Sequence, residues 1–361
     1  MRGRLRVTSA LRRRDSEPGT RGSLVKGVPE GIDLDTLAKF CLEHFGVALT
    51  RVSHIHLSGW KIGGAYRLFL RTKDRKERRL IFKDARYDLD HIPALDGLPL
   101  QPGPSEYRLY KQANAALAEY LPAVYHAVEI LPGKHYQFIL EDLGEDYRRA
   151  RRAIDTLNIA AAIPALHQVL EEWLPHGGSD EYIRYDREFS FALQDYAIRN
   201  LESYSQQGTF SFASEVRQLW GRISEVHGRS EFHELATKAP IHGDLNHSNL
   251  YIDNSDPSKI KLVDWEWLGS GLPHADLASM LKGVSAAIEA KVLREFARQS
   301  KSLTLEEHKR QYLWCQLERG MLDAGFLAAN QMKSTAVPGF DMPLYIELAL
   351  LQILRAYHEL V

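Results

Sequence analysis

One aspartate, an asparagine five residues on and a second aspartate closing an apolar run supply a candidate base and two hard oxygen ligands. They lie in His242-Gly243-Asp244-Leu245-Asn246-His247-Ser248-Asn249 and Lys261-Leu262-Val263-Asp264-Trp265-Glu266. Asp244 can hydrogen-bond an acceptor hydroxyl, and Asn249 and Asp264 offer the kind of oxygen that Mg2+ prefers. Phosphoryl transfer from Mg·ATP asks for this set, because the protein's work there is to position the acceptor and hold metal ions against the phosphates. Each residue also has a plainer reading. Asp244 could cap a turn, and Asp264 could merely end a buried strand, although a carboxylate beside Asn249 needs a partner and a metal supplies one. His242 is assigned to packing and turn geometry, since Asp244 already takes the base position.

The elements that position this segment change character along the chain. Residues 32–46 have helical spacing with acidic residues at the start. From Val52 to Phe82 the pattern is that of strands, with the charged stretch Thr72 to Arg78 as a hairpin loop. Residues 87–104 hold four prolines and two glycines and read as a connection before a helix from Glu106 to Tyr120. A strand pair follows at 124–130 and 136–140, turning at Pro132-Gly133. Helices then dominate, with Ile159, Ile163, Leu166, Leu170 and Trp173 on one stripe and further stretches near 186–204, 212–226, 275–298, 306–330 and 343–359. A small β-rich part therefore precedes a larger helical one.

Composition removes several classes. The 361 residues are enough for a two-lobed unit with a real core, and the formal charge of −1 gives no broad attraction to nucleic acid or to an anionic membrane. Cys41 and Cys315 are the only cysteines, far apart and without metal-ligand spacing, which fits a reducing cytoplasm. No uncharged apolar run is long enough to span a bilayer. The Arg-rich residues 1–22 lack the apolar core of a secretory signal and are expected to be a disordered basic leader.

The β-rich part carries candidates for the nucleotide. Ser58-Gly59-Trp60-Lys61-Ile62-Gly63-Gly64-Ala65 lies between two strand patterns, where glycines let backbone N–H groups approach phosphate. Such a stretch is also an ordinary hairpin turn. Lys83 ends the next strand, and Glu106 opens a helix 23 residues later. A strand-end lysine can simply reach water, and a carboxylate at a helix start is favoured by the dipole. The order of glycine-rich hairpin, strand lysine, helix glutamate and Asp/Asn/Asp segment is what links them.

These residues together resemble the aminoglycoside phosphotransferase family of kinase-like small-molecule phosphotransferases, which includes choline kinases. The strongest matches are His242-Gly243-Asp244 with Asn249, Val263-Asp264-Trp265-Glu266, and Gly271-Leu272-Pro273-His274-Ala275-Asp276-Leu277-Ala278. Supporting matches are Tyr66-Arg67, Lys83, Glu106, Leu140-Glu141-Asp142-Leu143 and Ala165-Leu166-His167. The resemblance implies an α+β, bilobal protein kinase-like fold: a small N-terminal antiparallel β-sheet lobe (23–140) and a larger, mainly helical C-terminal lobe (141–361), with a hinge near 138–144. It implies Asp244 as the catalytic aspartate, Asn249 and Asp264 as Mg2+ ligands, and Lys83, positioned by Glu106, on the ATP phosphates. Gly59, Gly63 and Gly64 would line the phosphates, and the backbone at Glu141 and Leu143 would take adenine. Gly59 to Gly64 departs from the family's usual loop pattern. Asp276 would accept backbone N–H bonds and brace the catalytic turn, while Glu266 could meet a metal-bound water or a basic side chain.

A protein kinase and a nucleotide-binding regulatory pseudokinase share parts of this order. Against the first, Gly243 stands where protein kinases usually carry Arg, and only eleven residues separate Asp264 from Asp276, too few for an activation segment. Against the second, every acidic and amide group needed for chemistry is present. The expected reaction moves the ATP γ-phosphoryl group to a hydroxyl of a small molecule such as an antibiotic, sugar, amino alcohol or related metabolite. Residues 270–361 carry ten acidic and ten basic residues, so no acidic excess awaits a polycation. Tyr182, Tyr185, Phe189, Phe191 and Tyr196 could line an acceptor pocket, but helical aromatics are more often core.

Overall fold

A computed structural model describes residues 25–57, 63–86, 104–144, 146–151, 153–174, 182–206, 218, 221–222, 238–299, 303–332 and 342–360. The basic leader, Gly59, nearly all of the 87–104 connection and most of the helix expected at 212–226 lie outside the described residues. The chain divides into two compact units, one ending at Asp84 and the other beginning at Ala85.

In the first unit, α1 (Leu34–Phe45) is closed at both ends by its sequence. Asp33 accepts the Thr36 N–H at 2.7 Å, and Gly46 takes the left-handed conformation that ends the helix. The strands β1 (Val25–Lys26), β2 (Leu49–Leu57), β3 (Gly63–Thr72) and β4 (Glu77–Arg86) lie in the order β1-β2-β3-β4. Antiparallel register sets Val52 opposite Leu70 and His54 opposite Leu68, and all four side chains are buried. The hairpin between β3 and β4 is tighter than the seven-residue loop expected, because Arg75 adopts φ 63° and lets the Thr72 N–H reach the Lys76 carbonyl at 3.2 Å.

The second unit opens with a helix that is two helices. The expected run from Glu106 to Tyr120 breaks into α2 (Pro104–Gln112) and α3 (Ala115–Ala118), because the Asn114 side chain accepts the Leu117 N–H and starts a new helix. Strands β5 (Val124–Leu131) and β6 (His135–Glu141) pair antiparallel across a turn in which Gly133 has φ 72°. After β7 (Tyr147–Arg149) come α4 (Ala153–Trp173), β8 (Ile183–Arg184) and α5 (Arg187–Gln206). Four short strands follow: β9 (Ala239–Ile241), β10 (Leu250–Asp253), β11 (Ile260–Leu262) and β12 (Gly269–Gly271). They form two three-stranded sheets, β11-β10-β7 and β8-β12-β9.

The remaining helices are α6 (His274–Met280), α7 (Ala286–Gln299), α8 (Leu305–Met332) and α9 (Met342–Leu360). The single helix expected over 275–298 is split, with Gly283 at φ 76° in the break. A core of Leu193, Tyr196, Leu317, Met321, Ile346 and Ile353 binds α5, α8 and α9 together. No described helix is long and apolar enough to cross a membrane. The expected class, antiparallel strands followed by a mainly helical part, is the class observed.

Candidate active site

The two small sheets of the second unit carry the Asp/Asn/Asp set. β9 delivers His242 to Asn249, β10 leaves from it, and β11 runs back toward Asp264 with Leu262 opposite Leu250. The Val263 N–H donates to the Asn249 carbonyl at 3.1 Å, so Asp264 is held one residue beyond the point where its segment is tied to Asn249. Asp264 sits at φ 71°, ψ 58°, and only it and Arg75 have positive φ among the described residues other than glycine. Left-handed backbone at an aspartate is tolerated but strained, and such strain collects at functional sites.

Asp276, fully buried near the start of α6, clamps the His242-Gly243 turn. Its Oδ2 accepts the His242 N–H and its Oδ1 the Gly243 N–H, both at 3.0 Å, and His167 Nε2 donates to Oδ2 at 2.9 Å. Burial pushes the Asp276 carboxyl up, but the hydrogen bond and charge of His167, then His242, outweigh it and hold the pKa below the usual value. The brace expected of Asp276 is therefore present, and His167 is part of it.

His242 is buried and stacks on Trp265 with ring centroids 4.4 Å apart. Its Nε2 donates to the Val263 carbonyl at 3.1 Å and its Nδ1 accepts the Asp244 N–H at 3.3 Å, so the ring joins the two aspartate segments. Gly243 has φ 79°, and a Cβ there would lie 2.3 Å from the Trp267 carbonyl oxygen and 2.4 Å from the Tyr185 hydroxyl. No larger residue fits, which is the physical reason for glycine where a protein kinase has arginine.

The Asp244 carboxylate is oriented from both sides. Oδ2 accepts from Asn246 Nδ2 at 2.9 Å and Asn249 Nδ2 at 3.1 Å, while Oδ1 meets Arg319 at 2.9 Å. Asn249 also donates to the Asp244 carbonyl at 2.9 Å, so its amide nitrogen faces Asp244, and its Oδ1, which accepts the Ser248 hydroxyl at 3.4 Å, is the atom that could face a cation. Glu266, for which the sequence left a metal-bound water or a basic side chain open, accepts the Trp267 indole N–H at 3.0 Å.

Arg319, on α8, was not singled out from the sequence. Its Nε pairs with Asp323 Oδ1 at 3.2 Å, its second guanidinium nitrogen donates to Ser279 Oγ at 3.0 Å, and Lys282 Nζ meets Asp323 Oδ2 at 2.7 Å. Burial works against both charges, yet Asp323 and Asp244 raise the Arg319 pKa and Arg319 and Lys282 lower that of Asp323. The available signal was an Arg and an Asp four apart on one helix, Arg319 and Asp323.

Glu106 is fully buried on α2, and its Oε1 accepts the Trp265 N–H at 3.4 Å, just past Asp264. Neighbouring Ser105 Oγ donates to the Trp265 and Glu266 carbonyls. Lys83 lies on β4 in the first unit, half-buried, and Gly63 and Gly64 open β3. A Cβ on Gly64 would come 2.2 Å from the Tyr66 ring, so a larger residue there must displace that half-buried ring. At the expected hinge, Glu141 ends β6 with its Oε2 accepting the Ala123 N–H at 2.9 Å, and Leu143 accepts the Tyr147 N–H through its carbonyl at 2.9 Å. Of the candidate pocket aromatics, Tyr182, Phe189 and Tyr196 are buried core and Phe191 is exposed; Tyr185 is half-buried and donates to the Trp267 carbonyl at 2.8 Å.

Comparison with known proteins converges on one group. A family model described as "Phosphotransferase enzyme family" matches residues 63–314. No curated protein sequence matches. Among solved structures, the choline kinase LicA from Streptococcus pneumoniae is similar with a TM-score of 0.56 at 13% identity, covering 90% of this chain and 98% of that one. The amicoumacin kinase hAmiN, in complex with AMP-PNP, Ca2+ and Ami, gives 0.55 at 13%, covering 91% and 98%. A thermostable mutant of aminoglycoside phosphotransferase APH(4)-Ia, with ADP and hygromycin B, gives 0.51 at 16%, covering 90% and 98%. At these identities the likeness establishes a shared fold.

Proposed function

Because the chain belongs to the phosphotransferase enzyme family, we propose that it is an ATP-dependent kinase that moves the γ-phosphoryl group to a hydroxyl of a small molecule. The observation that carries this reading is the gathering of Asp244, Asn249 and Asp264 around one turn clamped by Asp276. Asp244 orients the acceptor hydroxyl and takes its proton late, since a loose transition state does not require a deprotonated nucleophile.

The donor set fits a hard divalent cation: a carboxylate at Asp264 and an amide oxygen at Asn249, whose nitrogen is already committed to Asp244. Mg2+, when bound there, supplies charge neutralisation on the phosphates. Lys83 and Glu106 are assigned to the nucleotide, with Gly59, Gly63 and Gly64 on the phosphates and the backbone of Glu141 and Leu143 on adenine. In this reading residues 23–140 form the nucleotide-binding lobe and 141–361 the catalytic and acceptor-binding lobe, hinged near 138–144. ADP with hygromycin B in one similar solved structure, and AMP-PNP with Ca2+ and Ami in another, lend support.

The test is transfer from γ-labelled ATP with Mg2+ across a panel of hydroxylated metabolites and antibiotics, with a protein acceptor alongside. Label on a small hydroxylated compound, lost in Asp244→Asn, supports the reading. Label only on protein, or wild-type turnover in Asp244→Asn, overturns it.

A further inference from the structure

Asp244 is held by more than its own loop. Its carboxylate offers about four lone-pair sites. Asn246 and Asn249 take two of them on Oδ2, and Arg319 takes one on Oδ1, at 2.9 Å. Oδ1 is thus the oxygen with capacity left for an acceptor hydroxyl, and a guanidinium adjoins it. That guanidinium has little freedom of its own. Asp323 holds Nε, Ser279 Oγ accepts from a second nitrogen at 3.0 Å, the Gly243 carbonyl lies 3.5 Å from the same nitrogen, and Lys282 fixes Asp323 from its far side at 2.7 Å. The side chains of Arg319 and Asp244 are only 17% and 20% exposed, so water screens the pair weakly.

We propose that Arg319 is the positioning residue of the phosphoryl-transfer site, fixing Asp244 so that Oδ1 receives the acceptor hydroxyl. The proposal rests on Asp244 being the base. Without the guanidinium, only the two amides on Oδ2 restrain the carboxylate, and it is free to turn Oδ1 away from the acceptor. A misplacement of about 1 Å in such a site lowers turnover on the order of 10²-fold. The chain Lys282, Asp323 and Arg319 also joins the break after α6 to α8, so α8 reaches the catalytic turn through Arg319 while α6 reaches it through Asp276.

The test compares Arg319→Met and Arg319→Lys with wild type, reading phosphate release from Mg·ATP with water as acceptor, AMP-PNP affinity by calorimetry, and a crystal structure of each variant. Arg319→Met is expected to lose on the order of 10²-fold in kcat, with AMP-PNP affinity within about threefold of wild type and Asp244 rotated in the crystal. Arg319→Lys, which keeps one donor and the charge, is expected to recover part of the loss. In an Asp244→Asn background Arg319→Met should add little, because both changes remove one function. An Asp244 carboxylate that keeps its place in Arg319→Met overturns the proposal, as does a parallel loss of AMP-PNP binding and melting temperature. Wild-type turnover in Asp244→Asn is a different failure: it removes the base reading itself, whatever Arg319 does.

Discussion

Asp276 Oδ2 receives two donors at once, the His242 N–H at 3.0 Å and His167 Nε2 at 2.9 Å, inside a fully buried site. An amide cannot replace that carboxylate, because an Asn side chain must turn one N–H toward a donor. Asp276→Asn is therefore expected to lose about 3 kcal/mol of stability, read by urea unfolding, and to lower turnover with it. The sign with pH follows from the lowered pKa. The stabilisation is complete above the unfolded carboxylate value of about 3.9 and is lost as pH falls through the lower folded value, so wild type should show an acid-side loss that Asp276→Asn lacks.

Gly243 and Gly283 both have positive φ, at 79° and 76°, but only Gly243 has backbone and a hydroxyl within 2.4 Å of where a Cβ would stand. Gly283→Ala should lose about 1–2 kcal/mol, the left-handed penalty alone. Gly243→Ala should lose clearly more and cut turnover, since the Trp267 carbonyl must move. Equal losses in paired urea melts would show that the contact does not matter.

Asp264 combines a strained backbone with a proposed metal-binding carboxylate. Glycine relieves the first and deletes the second. Asp264→Gly is expected to stay within about 1 kcal/mol of wild-type stability, strain relief offsetting the lost side chain, while Mg2+-dependent ATP turnover falls on the order of 10²-fold or more. Thermal melting and phosphate release on the same preparation check both halves.

His274 and His308 form a buried pair, Nε2 to Nδ1 at 2.8 Å. Burial first, and then the neighbouring His308 and His167, depress the His274 pKa to about 3. The folded state keeps His274 neutral while the unfolded chain binds a proton below about 6.5. Stability should thus be full above that pH and decline as pH falls toward about 3, with a slope of up to about 1.4 kcal/mol per pH unit from this residue. His274→Phe should flatten the slope in urea melts between pH 7 and 4.

Much of the architecture was legible in local pattern. Asp33 and Gly46 announce α1 at both ends, and Gly133 marks the turn between β5 and β6. The breaks at Asn114 and Gly283 were missed because apolar periodicity continues through them, while capping and left-handed backbone act at single positions. The brace by Asp276 was expected only through the family resemblance of Gly271 to Ala278, since Asp276 lies 34 residues beyond the His242 it holds. Arg319 was not: it sits 75 residues beyond Asp244 in the chain, and ion pairing at that separation leaves no periodic trace.

Taken alone, the sequence determined the kinase class and the succession of a strand-rich part by a mainly helical one, and brought Asp244, Asn249 and Asp264 forward as candidates, because short spacings and residue chemistry survive without a fold. Tertiary structure decided how those groups are held: the Asp276 and His167 clamp, the left-handed turn at Asp264, the carbonyl and hydroxyl that exclude a side chain at Gly243, and Arg319 on Asp244 Oδ1. Each depends on burial and on contacts between distant segments, and those exist only once β9, β12, α6 and α8 have packed around one turn.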